Sequence, residues 1–139
     1  MSAEARYAAL AVADRDRLTA LAEEILAQAT SVALSAGPAP ATMLVELTET
    51  VRRQPFHLGE VVVTEATVVV NGSRGDGMVL GLDTERALAA AVCDAAAEAG
   101  LLAGAVAALV RRTEAELAAA RASTAAALAE TRISVEVMP

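Results

Sequence analysis

The chain has 139 residues, a length that suits one domain spanning residues 1–139. Its formal net charge is −7 and it contains no lysine, so nucleic acid is a poor candidate partner because backbone phosphates would repel it. Hydrophobic residues make up 55% of the chain, but aromatic residues only 1%, and much of the apolar content is alanine. Alanine buries little area, so we expect a thin core of closely approaching helices that a partner completes.

A single cysteine, Cys93, excludes an internal disulfide and any zinc site built on cysteines. The first residues lack the basic start and apolar segment of a signal peptide. The longest apolar run, Ala99–Val110, is too short to span a bilayer. These features predict a cytoplasmic protein that does not enter a membrane.

The N-terminal part is predicted to be helical over Ala3–Ala29, with a break near Ala13–Asp14. Asp14 is the expected cap of the second helix, and Leu18, Leu21 and Ile25 recur at helical spacing. Residues 30–34 fit a short strand or a helix end equally well. The segment GPAPAT at 37–42 is predicted to be a connector.

Alternating apolar residues predict a strand at 43–51 and a second at 59–70. The second has mostly apolar residues on both faces, which is typical of a strand that is covered on both sides or contacts a partner. NGSRGDG at 71–77 is predicted to be a hairpin connection, and the returning strand is placed at 77–82.

Two helices are predicted after the hairpin. The first has Asp83 as its N-cap and ends at Gly100. The second, Ala103–Glu130, has a narrow seam of small residues that favours contact with a neighbour: Val106, Val110, Thr113, Leu117, Ala120, Thr124 and Leu128. Alternation then predicts a terminal strand at 132–137, which would add to its own sheet or a neighbour's. The expected fold class is α+β with an antiparallel sheet.

No assembled catalytic constellation is evident, and no catalytic, cofactor-binding or metal-ligating residue is assigned. His57 is the only histidine, and Glu60 would point to the opposite face of the strand, so an incidental surface histidine is favoured over a general base. The glycines from Gly72 to Gly77, with Arg74, resemble a phosphate cradle but lead into a strand and lack the lysine of a P-loop.

Two further groups have ordinary structural interpretations. Cys93 lies within a predicted helix beside Asp94, which is typical of a small buried residue and not of an activated thiolate. Arg111 and Arg112 could hold an anion, but Glu114 and Glu116 follow within one turn, which favours ion pairs on a solvated helix face.

The middle of the chain resembles the PhnG family, the PhnG subunit of bacterial carbon–phosphorus lyase. The resemblance rests on PFHLGEVVVTEATVVV, on the return GDGMVLG, and on the helix DTERALAAAVCDA, in which Asp94 fits an acidic position of the family. The strand near Met43 and the tail TRISVEVM are similar more weakly. This sequence departs from the family pattern at Met43, at Arg52–Gln54 and at His57.

The resemblance implies a role in phosphonate breakdown. PhnG-like chains work with PhnH-, PhnI-, PhnJ- and PhnL-like proteins in a complex that transfers the ribose triphosphate moiety of ATP to an alkylphosphonate. ATP and phosphonate would then be used by the complex, and no cofactor by this chain alone. The family's matching motif is a strand–hairpin–helix framework, so it transfers no catalytic residue to this sequence.

The expectation is therefore a non-catalytic subunit that promotes assembly and also self-associates. The interface candidates are Phe56, Leu58, Val61, Val63, Ile133, Val135 and Val137. One alternative is a subunit that contacts substrate directly, with His57, Arg74 and Asp76 at a shared active site. Another is an unrelated homodimeric binding module.

Overall fold

A computed structural model of the chain describes the backbone of residues 1–48 and 55–137 and the side chains of residues 1–44 and 59–129. Its helices are α1 (Ala3–Val12), α2 (Arg15–Gln28), α3 (Thr84–Ala99) and α4 (Ala103–Val137). Its strands are β1 (Val32–Thr48), β2 (Pro55–Val70) and β3 (Ser73–Leu80). The strands form one antiparallel sheet in the order β1-β2-β3, which confirms the predicted α+β class.

The N-terminal helices break where the sequence predicts. The side chain of Ser2 caps α1 by accepting from the backbone N–H of Ala5, and Asp14 caps α2 by accepting from that of Arg17. These bonds satisfy N–H groups that a helix start leaves without a partner. The two helices then bury the predicted stripe of Leu18, Leu21 and Ile25 with Leu10 and Ala22.

Strand β1 begins earlier than predicted, at Val32, and includes the segment predicted to be a connector. Pro38 and Pro40 are tolerated because β1 is an edge strand, and the pairing register with β2 shifts between Leu34 and Ala39. Gly37 is required there, since a Cβ atom would lie 2.4 Å from the carbonyl oxygen of Glu65. The strand predicted at 43–51 is confirmed to Thr48, and its last residues lie outside those described.

The β2–β3 turn is shorter than predicted. Asn71 and Gly72 alone form it, with φ of 48° and 84°, as expected for the tight hairpin turn that Asn-Gly favours. Strand β3 therefore starts at Ser73 and not at Gly77. Gly75 and Gly77 therefore lie within the strand, where the absence of a side chain allows α3 to pack closely.

Helix α3 is the centre of the core. It packs on β2 and β3 and also contacts α1, α2 and α4. A Cβ atom on Gly75 would lie 2.1 Å from the backbone N of Ala95, and one on Gly77 would lie 2.5 Å from the carbonyl oxygen of Ala87. Glycines on the strand and alanines on the helix thus let the two backbones approach closely, as the alanine-rich composition led us to expect.

The last helix is longer than predicted, and the strand predicted at 132–137 is wrong because α4 continues to Val137. A helix satisfies its backbone hydrogen bonds within one segment, whereas a strand needs a neighbouring edge. Within the described backbone, β1-β2-β3 make the sheet without a C-terminal strand. The side chains of the interface candidates Ile133, Val135 and Val137 lie outside those described.

Candidate functional site

A polar cleft of about 530 Å³ opens where the start of α1 faces the middle of β2 and β3. Its charged lining consists of the carboxylates of Glu4, Glu65, Asp76 and Asp94 and the guanidinium of Arg74. Tyr7 and Thr67 add hydroxyl groups. The cleft is therefore acidic, and it contains three of the residues that the sequence singled out, Arg74, Asp76 and Asp94.

Asp94 is the best-connected residue of this cleft, although it is only 7% exposed. Its Oδ1 accepts a hydrogen bond of 2.7 Å from Nε of Arg6, and its Oδ2 accepts one of 3.0 Å from the backbone N–H of Asp76. One carboxylate thus joins α1, α3 and β3. It also satisfies an N–H of an edge strand that would otherwise lack a partner.

Arg6 is buried, at 7% exposed, and both of its partners are acidic. Its Nη2 donates to Glu98 at 2.5 Å in addition to the bond from Nε to Asp94. Burial acts to lower the pKa of Arg6, but the hydrogen bonds to Glu98 and Asp94 outweigh it and raise the pKa above the ordinary value. Arg6 is therefore engaged within the chain and is not available to bind an anion.

The electrostatics of the cleft act on Tyr7, the only tyrosine in the chain. Burial, followed by the charges of Glu65, Asp76 and Asp94, raises the pKa of its phenol. Asp76 in turn accepts from the hydroxyl of Thr67 at 2.7 Å and from Arg74 at 3.3 Å. The cleft can thus attract a cation or a hydrogen-bond donor, but it opposes a polyanion.

The glycine segment does not form a separate phosphate cradle in this structure. Gly75 and Gly77 lie within β3 against α3, and the side chain of Arg74 is bonded to Asp76. Asn71, at the turn, accepts through Oδ1 from the backbone N–H groups of Thr30 and Ser31, so it fixes the start of β1 beside the hairpin.

Cys93 is completely buried on α3, as expected for a small core residue. Burial, with a contribution from the charge of Asp94, raises the pKa of its thiol to about 12. Arg112 pairs with Glu116 one turn later at 3.3 Å, which confirms the interpretation of that cluster as an ion pair on an exposed face. The side chain of His57 lies outside those described.

Asp83 and Arg86 connect α3 to α1 and α2. Asp83 caps the helix by accepting from the backbone N–H of Arg86 and pairs with Arg15 of α2. Burial acts to raise the pKa of Asp83, but the bonds from Arg86 and Arg15 outweigh it and lower the pKa. Arg86 also donates to the carbonyl oxygen of Ala11 at 3.1 Å. This bond gives a partner to a carbonyl group that the C-terminal end of α1 leaves without one.

Two long segments extend beyond the core. The first is the arm, residues 42–48 of β1 and 55–62 of β2, which pair with each other beyond the last residue of β2 that pairs with β3. The second is the distal part of α4, residues 114–129, where Leu117 alone is half-buried and the other side chains are exposed. Of the predicted seam, Val106, Val110 and Thr113 are buried, whereas Ala120, Thr124 and Leu128 are exposed.

The interface candidates on β2 differ in their exposure. Val61 is half-buried and Val63 is only 2% exposed. The side chains of Phe56 and Leu58 lie outside those described. Exposed apolar side chains that the sequence analysis did not propose include Leu44, at 48%, and Leu80, at 64%. Alternation would identify Leu44 only if the start of β1 were known. It would identify Leu80 only if the part of the sheet that α3 covers were known.

The described residues show neither a metal site nor a membrane span. Among them, no group of three or more histidine, cysteine, aspartate or glutamate side chains could hold a metal ion. No helix in the same part of the chain is long and apolar enough to cross a bilayer.

Comparison with known families gives a match over nearly the whole chain. The model of the family described as "Phosphonate metabolism protein PhnG" matches residues 2–138. The comparison with curated proteins returned no match. The match includes the segments outside the strand–hairpin–helix framework, among them β1 and α4.

Proposed function

Because the chain belongs to the PhnG family of phosphonate metabolism proteins, we propose that it is a non-catalytic subunit that promotes assembly of a phosphonate-degrading complex. In this proposal the complex transfers the ribose triphosphate moiety of ATP to an alkylphosphonate. Its other members are PhnH-, PhnI-, PhnJ- and PhnL-like proteins, and this chain also self-associates. ATP and phosphonate are substrates of the cytoplasmic complex, and this chain alone binds no cofactor.

The observation that carries the proposal is the pair of extended segments. Among the described residues, the arm continues β1 and β2 beyond the pairing with β3, and the side chains of α4 after Leu117 are exposed. An isolated two-stranded hairpin is marginal in water, and an alanine-rich helix gains little stability without a packed face. Both segments therefore suit a chain whose structure is completed by neighbouring subunits.

The charge of the cleft favours this role over direct contact with a triphosphate. Arg74 is the cationic side chain in its lining, where it stands among the carboxylates of Glu4, Glu65, Asp76 and Asp94. Arg6, close by, is already bonded to two carboxylates. A polyanionic substrate would meet net repulsion here.

Co-purification tests the subunit role. The tagged chain would be expressed with the PhnH-, PhnI- and PhnJ-like proteins of the same source and examined by size exclusion with light scattering. We expect one co-eluting assembly. A chain that leaves all the others behind would contradict the proposal.

Turnover of the reconstituted complex tests the non-catalytic part. His57→Ala and Arg74→Ala should keep near-normal formation of the ribose phosphonate product, and Arg17→Ala, an exposed arginine outside the cleft, serves as the matched control. A large loss of turnover confined to the first two variants, with assembly intact, would instead favour direct contact with substrate.

A further inference from the structure

A small groove of about 200 Å³ lies between α2 and α3. The two helices start at the same end of it, because Arg15 at the start of α2 pairs with Asp83, the N-cap of α3. Helix α2 lines the groove with residues at positions i, i+3, i+4 and i+7 from Thr19, and α3 does so with the same spacing from Glu85. Residues at this spacing share one face of a helix, so the groove has two matching helical walls.

The groove is apolar because of the residues at its base. Ala22 of α2 and Ala89 and Val92 of α3 are each 5% exposed. Leu26 of α2 is 44% exposed and Leu88 of α3 is half-buried, so these two larger side chains border the groove. Pockets for small molecules measure roughly 300–1,000 Å³ and need several polar groups, so this one better suits apolar side chains of a protein.

The charged side chains that line the groove are both carboxylates, Glu23 of α2 and Glu85 of α3. The arginines of α2 are engaged elsewhere. Arg15 is shared between the N-cap of α3 and Glu85, and Arg17 pairs with a glutamate of α4 at 3.3 Å. Glu23 is exposed and forms no ion pair with any residue that the structure describes. The groove therefore favours an occupant with a cation beside its apolar residues.

Net charge and geometry define that occupant further. A second copy of the chain would bring another −7 charges towards an already acidic surface, whereas a cationic segment of a different protein is attracted by it. A groove between two helices accepts a third helix that inserts residues spaced by three and four positions. The lining thus fits a basic amphipathic helix.

We propose that this groove binds an amphipathic helix of another subunit of the complex. That helix inserts apolar side chains between α2 and α3 and places an arginine or lysine, one turn from them, against Glu23. The inference rests on the proposed function and specifies a surface and the chemistry of the partner segment that contacts it.

Two substitutions in α2 test the contact. Thr19→Trp fills the groove and Glu23→Lys reverses the charge at its edge, and affinity for each of the PhnH-, PhnI-, PhnJ- and PhnL-like proteins is measured by biolayer interferometry. For one of these proteins, we expect a loss of roughly tenfold with Thr19→Trp and about fivefold with Glu23→Lys. Ala20→Trp and Glu24→Lys, at exposed neighbouring positions outside the lining, are the matched controls and should stay within about twofold. Circular dichroism should be the same for all four variants.

Cross-linking identifies the partner segment and permits a charge swap. Leu26 is replaced by the photoreactive benzoylphenylalanine, and the cross-linked peptide is sequenced by mass spectrometry, with the same replacement at the exposed Gln28 as the control. We expect a segment with a basic residue one turn from an apolar one. Changing that basic residue to glutamate should weaken binding to the parent chain and restore binding to Glu23→Lys.

Three results would overturn the inference: affinities unchanged by both Thr19→Trp and Glu23→Lys, a cross-linked segment without a basic residue within one turn, or a cross-link between two copies of this chain. If affinities are unchanged while the complex assembles, this inference fails and the proposed function stands.

A parent chain that binds none of these proteins would reject the proposed function, and a peptide then decides the inference. The probe is a labelled amphipathic helix of leucine and arginine, compared with its leucine and glutamate counterpart. Binding of the arginine peptide alone, lost in Thr19→Trp and kept in Ala20→Trp, would support the groove. Equal binding of the two peptides, or none, would overturn it.

Discussion

Two alanine-rich helices of this protein have opposite surroundings. Helix α3 buries alanines on almost every side, from Ala87 to Ala96, whereas the distal part of α4 exposes nearly all of its side chains. The difference lies in what faces each helix. Because Gly75 and Gly77 lack side chains, α3 can lie close to the sheet. Asp94 also bonds α3 to α1 and β3. Alanine allows close approach, but the neighbouring element decides whether burial follows.

The largest effect should come from removing that close approach. In Gly75→Ala, the new Cβ would lie 2.1 Å from the backbone N of Ala95, so α3 must shift. We expect a loss of about 3 kcal/mol or more in the free energy of unfolding, measured with urea. Gly104→Ala, where the Cβ meets open space at the start of α4, is the control and should stabilise the chain slightly. Equal effects at both glycines would refute the packing argument.

Removing the carboxylate of Asp94 should have the next largest effect. Asp94→Ala leaves the buried Arg6 with Glu98 alone and the N–H of Asp76 without its acceptor. We expect a loss of about 2–3 kcal/mol by the same urea measurement. Glu98→Gln, at the half-exposed end of the network, is the control and should cost less than about 1 kcal/mol. An Asp94 variant as stable as the parent would show that the network does not hold α1.

Two truncations within α4 compare its buried and exposed parts directly. Val110→Ala, at a completely buried position, should cost about 2 kcal/mol. Leu128→Ala, where the side chain is 63% exposed, should change the unfolding free energy of the isolated chain by less than about 0.5 kcal/mol. The comparison would fail if Leu128→Ala cost as much as Val110→Ala.

The smallest effect is a shift in the titration midpoint of Tyr7, the single tyrosine, which lines the acidic cleft. Burial and the charges of Glu65, Asp76 and Asp94 raise the pKa of Tyr7, so the phenolate absorbance should appear at higher pH than in the unfolded chain. The unfolded state then loses its proton first, and this contribution to stability falls as pH rises towards the folded pKa. Glu65→Gln should lower the titration midpoint, whereas Glu116→Gln, on α4, should leave it unchanged. A midpoint unaffected by Glu65→Gln would argue against an acidic cleft.

Much of the local structure could be predicted because its causes are local. Asp14 and Asp83 cap helices that begin beside them, Gly100 ends α3 with a φ of 74°, and Asn71 with Gly72 turns the hairpin. Each of these depends on a few neighbouring residues. Strand β2 is also predictable over 59–70, because β-branched residues dominate Val61–Val70, although the strand begins earlier than predicted, at Pro55.

Other features were decided only by the tertiary structure. The sequence places Gly75 in the hairpin connection and Gly77 at its end, because nothing local shows that α3 lies against these glycines. The bond from Arg6 to Asp94 joins residues 88 positions apart, so no spacing rule predicts it. The terminal segment has the alternation of a strand, but it continues α4, since a strand forms only where an edge is present to pair with it.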